Sequence, residues 1–186
     1  MELLDAIKNR RAVRDYTDQF ITRLEIENII SAAIEAPSAM NLQPWAFAVV
    51  RNREQIEDYG IRAKAWLLAD LSRSSFGEHA RQMLQDPKFV LFYHAPALIL
   101  VLAKSSSSQA CEDACLAAQN MMLAARDRGL GTCWIGFSRP WFNLPETKTE
   151  LEIPGQYEVV APIILGHPKA WPPSHGRTPA EVYWVK

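Results

Sequence analysis

The sequence predicts one α/β domain, because apolar segments with strand character alternate with segments of helical period along the chain. A chain of 186 residues with 48% hydrophobic and 22% charged residues is ordinary for a globular domain that buries a sizeable core. No repeat, linker or shift of composition marks a boundary, so we expect residues 1–186 to form a single domain.

Two helices are expected before the first strand. Leu3, Leu4 and Ile7 give a short apolar helical face. The segment Thr22–Glu25 has the spacing of a capping box, and apolar residues follow it at helical period. This second helix must end before Pro37, because the residue that precedes a proline disfavours the helical conformation.

In the middle of the chain, the sequence pattern predicts two strands and two helices. The segment Trp45–Val50 is apolar on both alternating faces, which is typical of a strand buried on both sides. Helices are expected from Arg53 to about Leu71 and from Phe76 to about Leu84. A second buried strand is expected over Pro96–Ala103.

The Ala-rich segment Glu112–Arg128 has the clearest helical signal in the sequence, and Gly129 is well placed to cap the C-terminus of this helix. Further strands are expected over Thr132–Phe137 and Val159–Leu165. The tail that follows Gly166 is rich in proline and ends in an aromatic segment. This composition favours a tail that reaches across a second subunit over one that packs locally.

Composition and charge exclude several classes of function. The net charge is −1, so the chain lacks the basic excess of a general nucleic-acid or membrane-surface binder. The longest apolar stretch, Ala95–Ala103, is too short to span a bilayer, and the acidic, amphipathic N-terminal segment does not have the pattern of a signal peptide. Three cysteines, an odd number, fit a reducing compartment better than a disulfide framework. We therefore expect a cytoplasmic protein.

Three arginines, Arg10, Arg11 and Arg14, crowd together after the first predicted helix. Closely spaced cations repel one another, and guanidinium groups make bidentate bonds to phosphate, so the cluster indicates an anion site. The alternative is a solvated helix end, where the helix dipole favours cations. Composition alone does not decide between the two.

A polar loop over residues 36–45 follows the second predicted helix and is stiffened by two prolines. Asn41 and Gln43 offer amide donors and acceptors that suit the edge of a planar heterocycle. The alternative is a simple turn between helix and strand, because Pro, Ser and Asn are common in turns.

Other motifs are weaker. The segment Gly129–Gly136 carries three glycines, but the chain has neither a phosphate loop nor a GxGxxG motif after a strand. Cys111 and Cys115 lie one helical turn apart without further ligands, which favours core packing over a metal site. The four histidines form no hydrolase or metalloprotease motif. His175 and Arg177 are candidate anion contacts in the tail.

Five segments, in order, resemble the nitroreductase family of FMN-dependent oxidoreductases. The resemblance covers most of the chain and leaves about Arg53–Lys88 unmatched. It implies an α+β (α/β sandwich) fold in which helices flank a central, mostly antiparallel sheet. It also implies an intertwined homodimer with a C-terminal arm. The matching segments are Arg10–Arg14, Ala36–Phe47, Ala117–Ala125, Gly129–Gly136 and Val159–Pro168.

The resemblance implies an FMN site built from both subunits. Arg10 and Arg11 would approach the phosphate and ribityl chain, and Arg14 the pyrimidine edge, where a cation stabilises the negative charge of the reduced flavin. The family commonly has Ser where this chain has Ala12, so only the backbone can serve there. The partner's loop would contribute Pro37, Ser38, Ala39, Asn41 and Gln43, while Trp134, Ile135 and Gly136 would cover the central ring of the flavin.

A basic residue of the tail completes the implied phosphate site. Arg177 falls where the family has such a residue. Many members have a second one beside it, where this chain has Thr178, so Lys169 and His175 are candidate substitutes.

The implied activity is a ping-pong oxidoreduction. NADH or NADPH gives a hydride to flavin N5, and an electron-poor acceptor (a nitroaromatic, a quinone or an enone-like molecule) is then reduced. The flavin carries the chemistry, so no catalytic acid or base from the protein is expected, and no metal. The region from about Arg62 to Tyr93 is expected to set the choice of acceptor. Aromatic candidates for its pocket, with core packing as the alternative, are Trp66, Phe76, Phe89, Phe92 and Tyr93.

Three alternatives remain open. One is a specialised flavin enzyme of the same fold that dehalogenates, dehydrogenates or fragments flavin. Another is a flavin-binding protein without turnover. The third is a dimeric domain without flavin, whose arginines form salt bridges. Cys133, close to the segment that would cover the flavin, is interpreted as a packing residue.

Overall fold

The computed structural model describes residues 1–69 and 77–185, apart from the side chain of His79. Within these residues helices alternate with strands, and short 3-10 turns occupy Ala39–Asn41 and Gly136–Ser138. The helices are α1 (Leu3–Asn9), α2 (Arg23–Ala33), α3 (Arg53–Ala69), α4 (Glu78–Gln85), α5 (Ser108–Asp127), α6 (Arg139–Phe142) and α7 (Pro145–Glu150), and the strands are β1 (Trp45–Val50), β2 (Ala97–Ala103), β3 (Gly131–Trp134) and β4 (Glu158–Gly166).

The strands form one sheet in the order β1–β2–β4–β3, and every neighbouring pair is antiparallel. Ile99 of β2 lies opposite Val49 of β1 on one side and Ile163 of β4 on the other. Alternation of strands and helices is typical of parallel sheets, but the sheet observed here is antiparallel. The α/β class expected from alternation alone is therefore replaced by the α+β class. The antiparallel sheet with flanking helices that the family resemblance implies is therefore confirmed.

Helices cover both faces of the sheet, which gives the protein two core layers. On one face, α2 and α5 contribute Ile29, Ala117 and Met121, all fully buried against the sheet. On the other face, α3 and α6 contribute Tyr59 and Phe142. Successive side chains of β2 and β4 point to opposite layers, which is why both central strands are apolar almost throughout.

The edge strand β1 differs from its prediction. We expected a strand buried on both sides, but Ala46, Phe47 and Ala48 are half-buried and Val49 is 40% exposed. The reason is topological, because β1 has a neighbour on one side only. Its apolar outer face therefore remains open in a single chain.

The predicted helix ends of α2 and α5 are present. The Glu25 N–H donates to Thr22 Oγ1 at 3.1 Å, and the Thr22 N–H donates to Glu25 Oε2 at 2.7 Å, so the capping box is confirmed. The helix ends at Ala33, before Pro37. Gly129, which follows α5, adopts a φ of 74°, as expected of a C-terminal cap.

Two predicted boundaries were wrong: the start of α5 and the end of β3. Helix α5 begins at Ser108 and not at Glu112, because the Ser107 hydroxyl accepts the Ala110 N–H at 3.2 Å and caps an earlier turn. Strand β3 ends at Trp134 and not at Phe137, because the chain turns into a short 3-10 helix after it.

Smaller differences concern the middle of the chain. Helix α3 ends at Ala69 and α4 begins at Glu78. The predicted end at Leu71 and the predicted start at Phe76 lie outside the described residues. The short helices α6 and α7, each with a proline in the first turn, were not predicted.

The tail that follows β4 forms no helix or strand up to residue 185. Its beginning is fixed, because the Thr17 N–H donates to His167 O at 2.9 Å and the Lys169 N–H donates to Asp15 O at 3.2 Å. Its far end is open to solvent, with the Trp184 side chain 89% exposed. Within residues 1–69 and 77–185, none of the helices combines the length and the apolar character that crossing a bilayer requires.

A close backbone approach joins the segment after α1 to β3. Ala12 forms a parallel bridge with Thr132, and the Val13 N–H donates to Thr132 O at 3.0 Å. Gly131 permits this approach, because a Cβ at that position would lie 2.7 Å from Val13 Cγ2. The position of residues 12–13 thus depends on the absence of a side chain in β3.

We predict that Gly131→Ala lowers the free energy of unfolding by about 1–3 kcal/mol, the usual cost of forcing an extra methyl group into a packed site. Urea denaturation measures the change. Gly155→Ala is the matched control, because a Cβ there meets nothing within 4 Å. Equal stability of the two variants would contradict the prediction.

Candidate functional site

The segment Arg10–Arg14 connects α1 to the outer edge of β3. Val13 is buried in the core layer beneath it, with 1% of its surface exposed. Arg10 and Arg11 are half-buried and Arg14 is exposed. The buried valine and its backbone bond to β3 therefore fix the position from which the three arginine side chains extend.

Arg10 and Arg11 lie close to a third cation, Arg177 of the tail. Burial, and then the charges of Arg177 and Arg11, lower the pKa of Arg10. Lys8, Arg11 and Arg177 line a cavity of about 360 Å³. Arg11 Nη1 donates to the carbonyl oxygens of Lys8 at 2.6 Å and Arg10 at 2.8 Å. In the part of the chain that the structure describes, no carboxylate pairs with these arginines, so their charge is uncompensated.

A second cavity, of about 280 Å³, opens beside Arg14. Its walls include Trp134, Ile135 and Gly136, so the structure brings Arg14 together with the segment after β3. The Arg14 Cζ atom lies 5.8 Å from the centroid of the Tyr93 ring. The remaining described lining residues are Met83, Phe89, Leu91, Cys133 and Phe137.

The electrostatics of this second cavity are dominated by Arg14. Burial raises the pKa of Cys133, and the nearby charges of Arg14 and Arg10 only oppose that effect. Burial likewise raises the pKa of the Tyr93 phenol. Both groups are therefore neutral at pH 7, and Arg14 is the one charged side chain among the described lining residues. A protonated, buried Cys133 agrees with its interpretation as a packing residue.

The polar loop between α2 and β1 has a strained backbone. Met40, Asn41 and Gln43 have φ values of 50°, 55° and 48°, a region that costs a non-glycine residue about 1–2 kcal/mol. The Ser38 hydroxyl accepts the Gln43 N–H at 3.0 Å, and Gln43 Nε2 donates to Asn41 Oδ1 at 3.0 Å. Such strain persists only where the surroundings fix it, and it is concentrated at functional sites.

Asp113 of α5 anchors this loop and was missed by the sequence analysis. Both of its carboxylate oxygens lie 3.3 Å from the Ala39 N–H, and Gln109 Nε2 also donates to it at 3.3 Å. Asp113 is only 2% exposed. A signal was available, because Asp113 shares the helix face of Ala110 and Ala117, which are buried.

The loop and the arginine segment stand at opposite edges of the sheet. The loop leads into β1, whereas Arg10–Arg14 runs along β3, and two central strands separate these edges. At about 4.8 Å between neighbouring strands, the separation across three spacings is about 14 Å. Within one chain, the structure therefore does not bring Ser38, Asn41 and Gln43 to the cavity beside Arg14.

The predicted aromatic pocket is present in part. Phe89 and Tyr93 line the cavity beside Arg14. Phe92 does not, because it is 1% exposed and packs on Phe142, with ring centroids 6.1 Å apart. Trp66 packs against the same core layer. Phe76 lies outside the described residues.

The remaining predicted residues are distributed as follows. Lys169 Nζ pairs with Asp15 Oδ1 at 2.9 Å, and Lys169 is not among the described residues that line the cavity of Arg11 and Arg177. His175 and Thr178 flank Arg177 in a shallow surface cavity. Pro37 is exposed. Among the described residues, no group of three or more His, Cys, Asp or Glu side chains could hold a metal ion.

Comparisons with known proteins point to one family. The sequence model of the Nitroreductase family matches residues 7–167. A protein of Archaeoglobus fulgidus, named for NADH dehydrogenase/NAD(P)H nitroreductase activity, is 32% identical over 168 residues, which are 90% of this chain and 86% of that protein.

Two further similarities extend over nearly the whole chain. An iodotyrosine deiodinase of Thermotoga neapolitana is 28% identical over 187 residues, with 94% of this chain and 93% of the relative covered. The crystal structure of an FMN-bound nitroreductase from Bacteroides fragilis superposes with a TM-score of 0.83 at 28% identity, with 100% of both chains covered.

We predict that Asp113→Ala loosens the polar loop, because the Ala39 N–H loses its buried acceptor. The cost should be about 1–3 kcal/mol of unfolding free energy. Amide hydrogen exchange of residues 36–45, followed by mass spectrometry, should become faster. Glu112→Ala, which removes an exposed carboxylate one position away, is the control. Unchanged exchange in the Asp113 variant would show that this carboxylate does not hold the loop.

Proposed function

This chain belongs to the nitroreductase family, and we propose that it is an oxidoreductase that uses FMN. The observation that carries the proposal is the uncompensated cluster of Arg10, Arg11 and Arg177. A phosphate monoester carries nearly two negative charges at pH 7 and three acceptor oxygens, so it fits the cluster in both charge and bonding. The FMN that is bound to the Bacteroides fragilis structure supports the same cofactor.

We assign the flavin ring to the neighbouring cavity beside Arg14. Arg10 and Arg11 would hold the phosphate end, and Arg14 would place a fixed cation beside the ring, which stabilises negative charge on the reduced cofactor. When bound, FMN supplies the redox chemistry, passing a hydride from NADH or NADPH to an electron-poor acceptor such as a nitroaromatic or a quinone. The backbone of Trp134–Gly136 and the side chain of Tyr93 would exclude water from that cavity.

We further propose that the complete site belongs to a homodimer. The loop with Ser38 and Asn41 lies too far from Arg14 in one chain, so a second copy must supply it if the loop contacts the flavin. A groove of about 400 Å³ runs along the open edge strand β1. The exposed apolar end of the tail, which includes Tyr183 and Trp184, has the composition to cover this edge of a partner.

Reductive dehalogenation of an aromatic ring is the second candidate. The relative from Thermotoga neapolitana that is named an iodotyrosine deiodinase aligns with 94% of this chain. The aromatic wall of Phe89, Tyr93 and Phe137 would accept a halogenated ring as readily as a nitroaromatic one. Comparing turnover of a nitroaromatic, a quinone and an iodinated phenol by the same reduced protein separates these functions.

The proposed function is tested by the visible spectrum of the purified protein. We expect a flavin absorbance that bleaches when NADH or NADPH is added without oxygen and returns when a quinone or nitroaromatic is added. A colourless protein that does not take up added FMN would contradict the cofactor. A yellow protein that neither nicotinamide bleaches would show a flavin-binding protein with a different donor or without turnover.

A further inference from the structure

Arg126, near the end of α5, stacks on Trp171 of the tail. The Arg126 Cζ atom lies 3.5 Å from the centroid of the indole ring, well within the distance of about 6 Å at which a cation and a ring face attract one another. The indole is half-buried and packs against the core layer that contains Val13. Neither residue belongs to the sequence-predicted site, so the contact needs its own explanation.

Hydrogen bonds and ion pairs do not explain the position of Arg126. Its Nε atom is buried and has no hydrogen-bond partner, and no described carboxylate pairs with its guanidinium. Burial, and then the charge of Arg11, lower the pKa of Arg126. The side chain is therefore held against electrostatic repulsion from the arginine cluster, and the indole face is the attraction that the structure shows.

The tail has few other attachments before it reaches Arg177. Its backbone is bonded to the body of the protein up to Lys169, through Asp15. From residue 170 to residue 180, the hydrogen bonds in the described structure stay within the tail, such as Arg177 Nη1 to Gly176 O at 2.8 Å. Trp171 is thus the last side chain of the tail that packs on a core layer before Arg177 enters the cation cluster.

We propose that Arg126 and Trp171 are positioning residues for the anion site. Their stack fixes the start of the free tail, so that Arg177 stays beside Arg10 and Arg11 when no phosphate is bound. The inference rests on the proposed function, since it assigns FMN phosphate to this cluster. It adds that the affinity for the phosphate depends on the stack of Arg126 on Trp171, which lies outside the cluster and does not itself touch the cofactor.

The stack should affect the phosphate of FMN and not the flavin ring. The apoprotein is titrated with FMN and with riboflavin, which lacks the phosphate, and flavin fluorescence reports both dissociation constants. We expect Arg126→Gln and Trp171→Leu each to weaken FMN binding about tenfold, or about 1.4 kcal/mol, while riboflavin binding is unchanged. Trp171→Phe, which keeps a ring face, should retain most of the FMN affinity.

Two controls separate this role from a general effect on charge or folding. Arg128→Gln removes the same charge from an exposed arginine one half-turn away and should leave FMN binding unchanged. In the double variant Arg126→Gln/Trp171→Leu, the loss should be no larger than in either single variant, because both remove one contact.

Additive losses, or equal losses for FMN and riboflavin, would overturn the positioning role. So would single variants that bind FMN as the unaltered protein does. If the unaltered apoprotein itself binds FMN no more tightly than riboflavin, the assignment of phosphate to the arginine cluster fails, which is a failure of the proposed function. If Trp171→Leu does not fold, Arg126→Gln, a change at a partly exposed position, decides the question with Arg128→Gln as its control.

Discussion

The order of the strands is the constraint on which the rest of the structure depends. Because β1 and β3 form opposite edges of one antiparallel sheet, the two polar segments of the chain cannot meet within it. The arginine segment is pinned to β3 by Thr132 and by the space that Gly131 leaves open. The loop is pinned to β1 and, through Asp113, to α5. Each chain thus holds its two polar segments at opposite edges of the sheet, so the proposed flavin site needs the loop of a second copy.

The positive charges of the arginine cluster determine which kind of ligand this edge of the sheet can bind. Burial, and then the charges of Arg177 and Arg11, lower the pKa of Arg10, and nearby Arg126 adds a further positive charge, which lies against the ring of Trp171. Such a cluster costs folding free energy until an anion binds, and an anion that binds only the folded state raises the stability by an amount that grows with the logarithm of its affinity. The protein tolerates the repulsion because Val13, Thr132 and Trp171 tie the segments to the core. We therefore expect binding of the proposed phosphate to be coupled to folding at this end of the sheet.

The sequence predicted the features that depend on local pattern. It missed the features that depend on which distant segments become neighbours in the fold. The capping box at Thr22, the cap at Gly129 and the buried strand β2 follow from short-range rules, and the structure has all three. Strand direction did not follow from alternation, and the openness of β1 could not be read from its apolar residues, because both depend on which strands become neighbours. Arg126 and Asp113 were missed for a similar reason: each is a charged residue in an Ala-rich helix whose partner, Trp171 or the Ala39 N–H, is distant in sequence.

The central claim is that one flavin site needs the arginine segment of one chain and the loop of another. It is tested most directly by a mixed dimer in which one chain carries Arg10→Ala and Arg14→Ala, and the other carries Asn41→Gly, which removes the amide and tolerates the positive φ. Both homodimers have two damaged sites, whereas a shared arrangement leaves the mixed dimer with one intact site and one doubly damaged site. We predict one FMN per mixed dimer, bound with the affinity of the unaltered protein. A mixed dimer without any site of unaltered affinity would show that each chain builds its own site and would contradict the account.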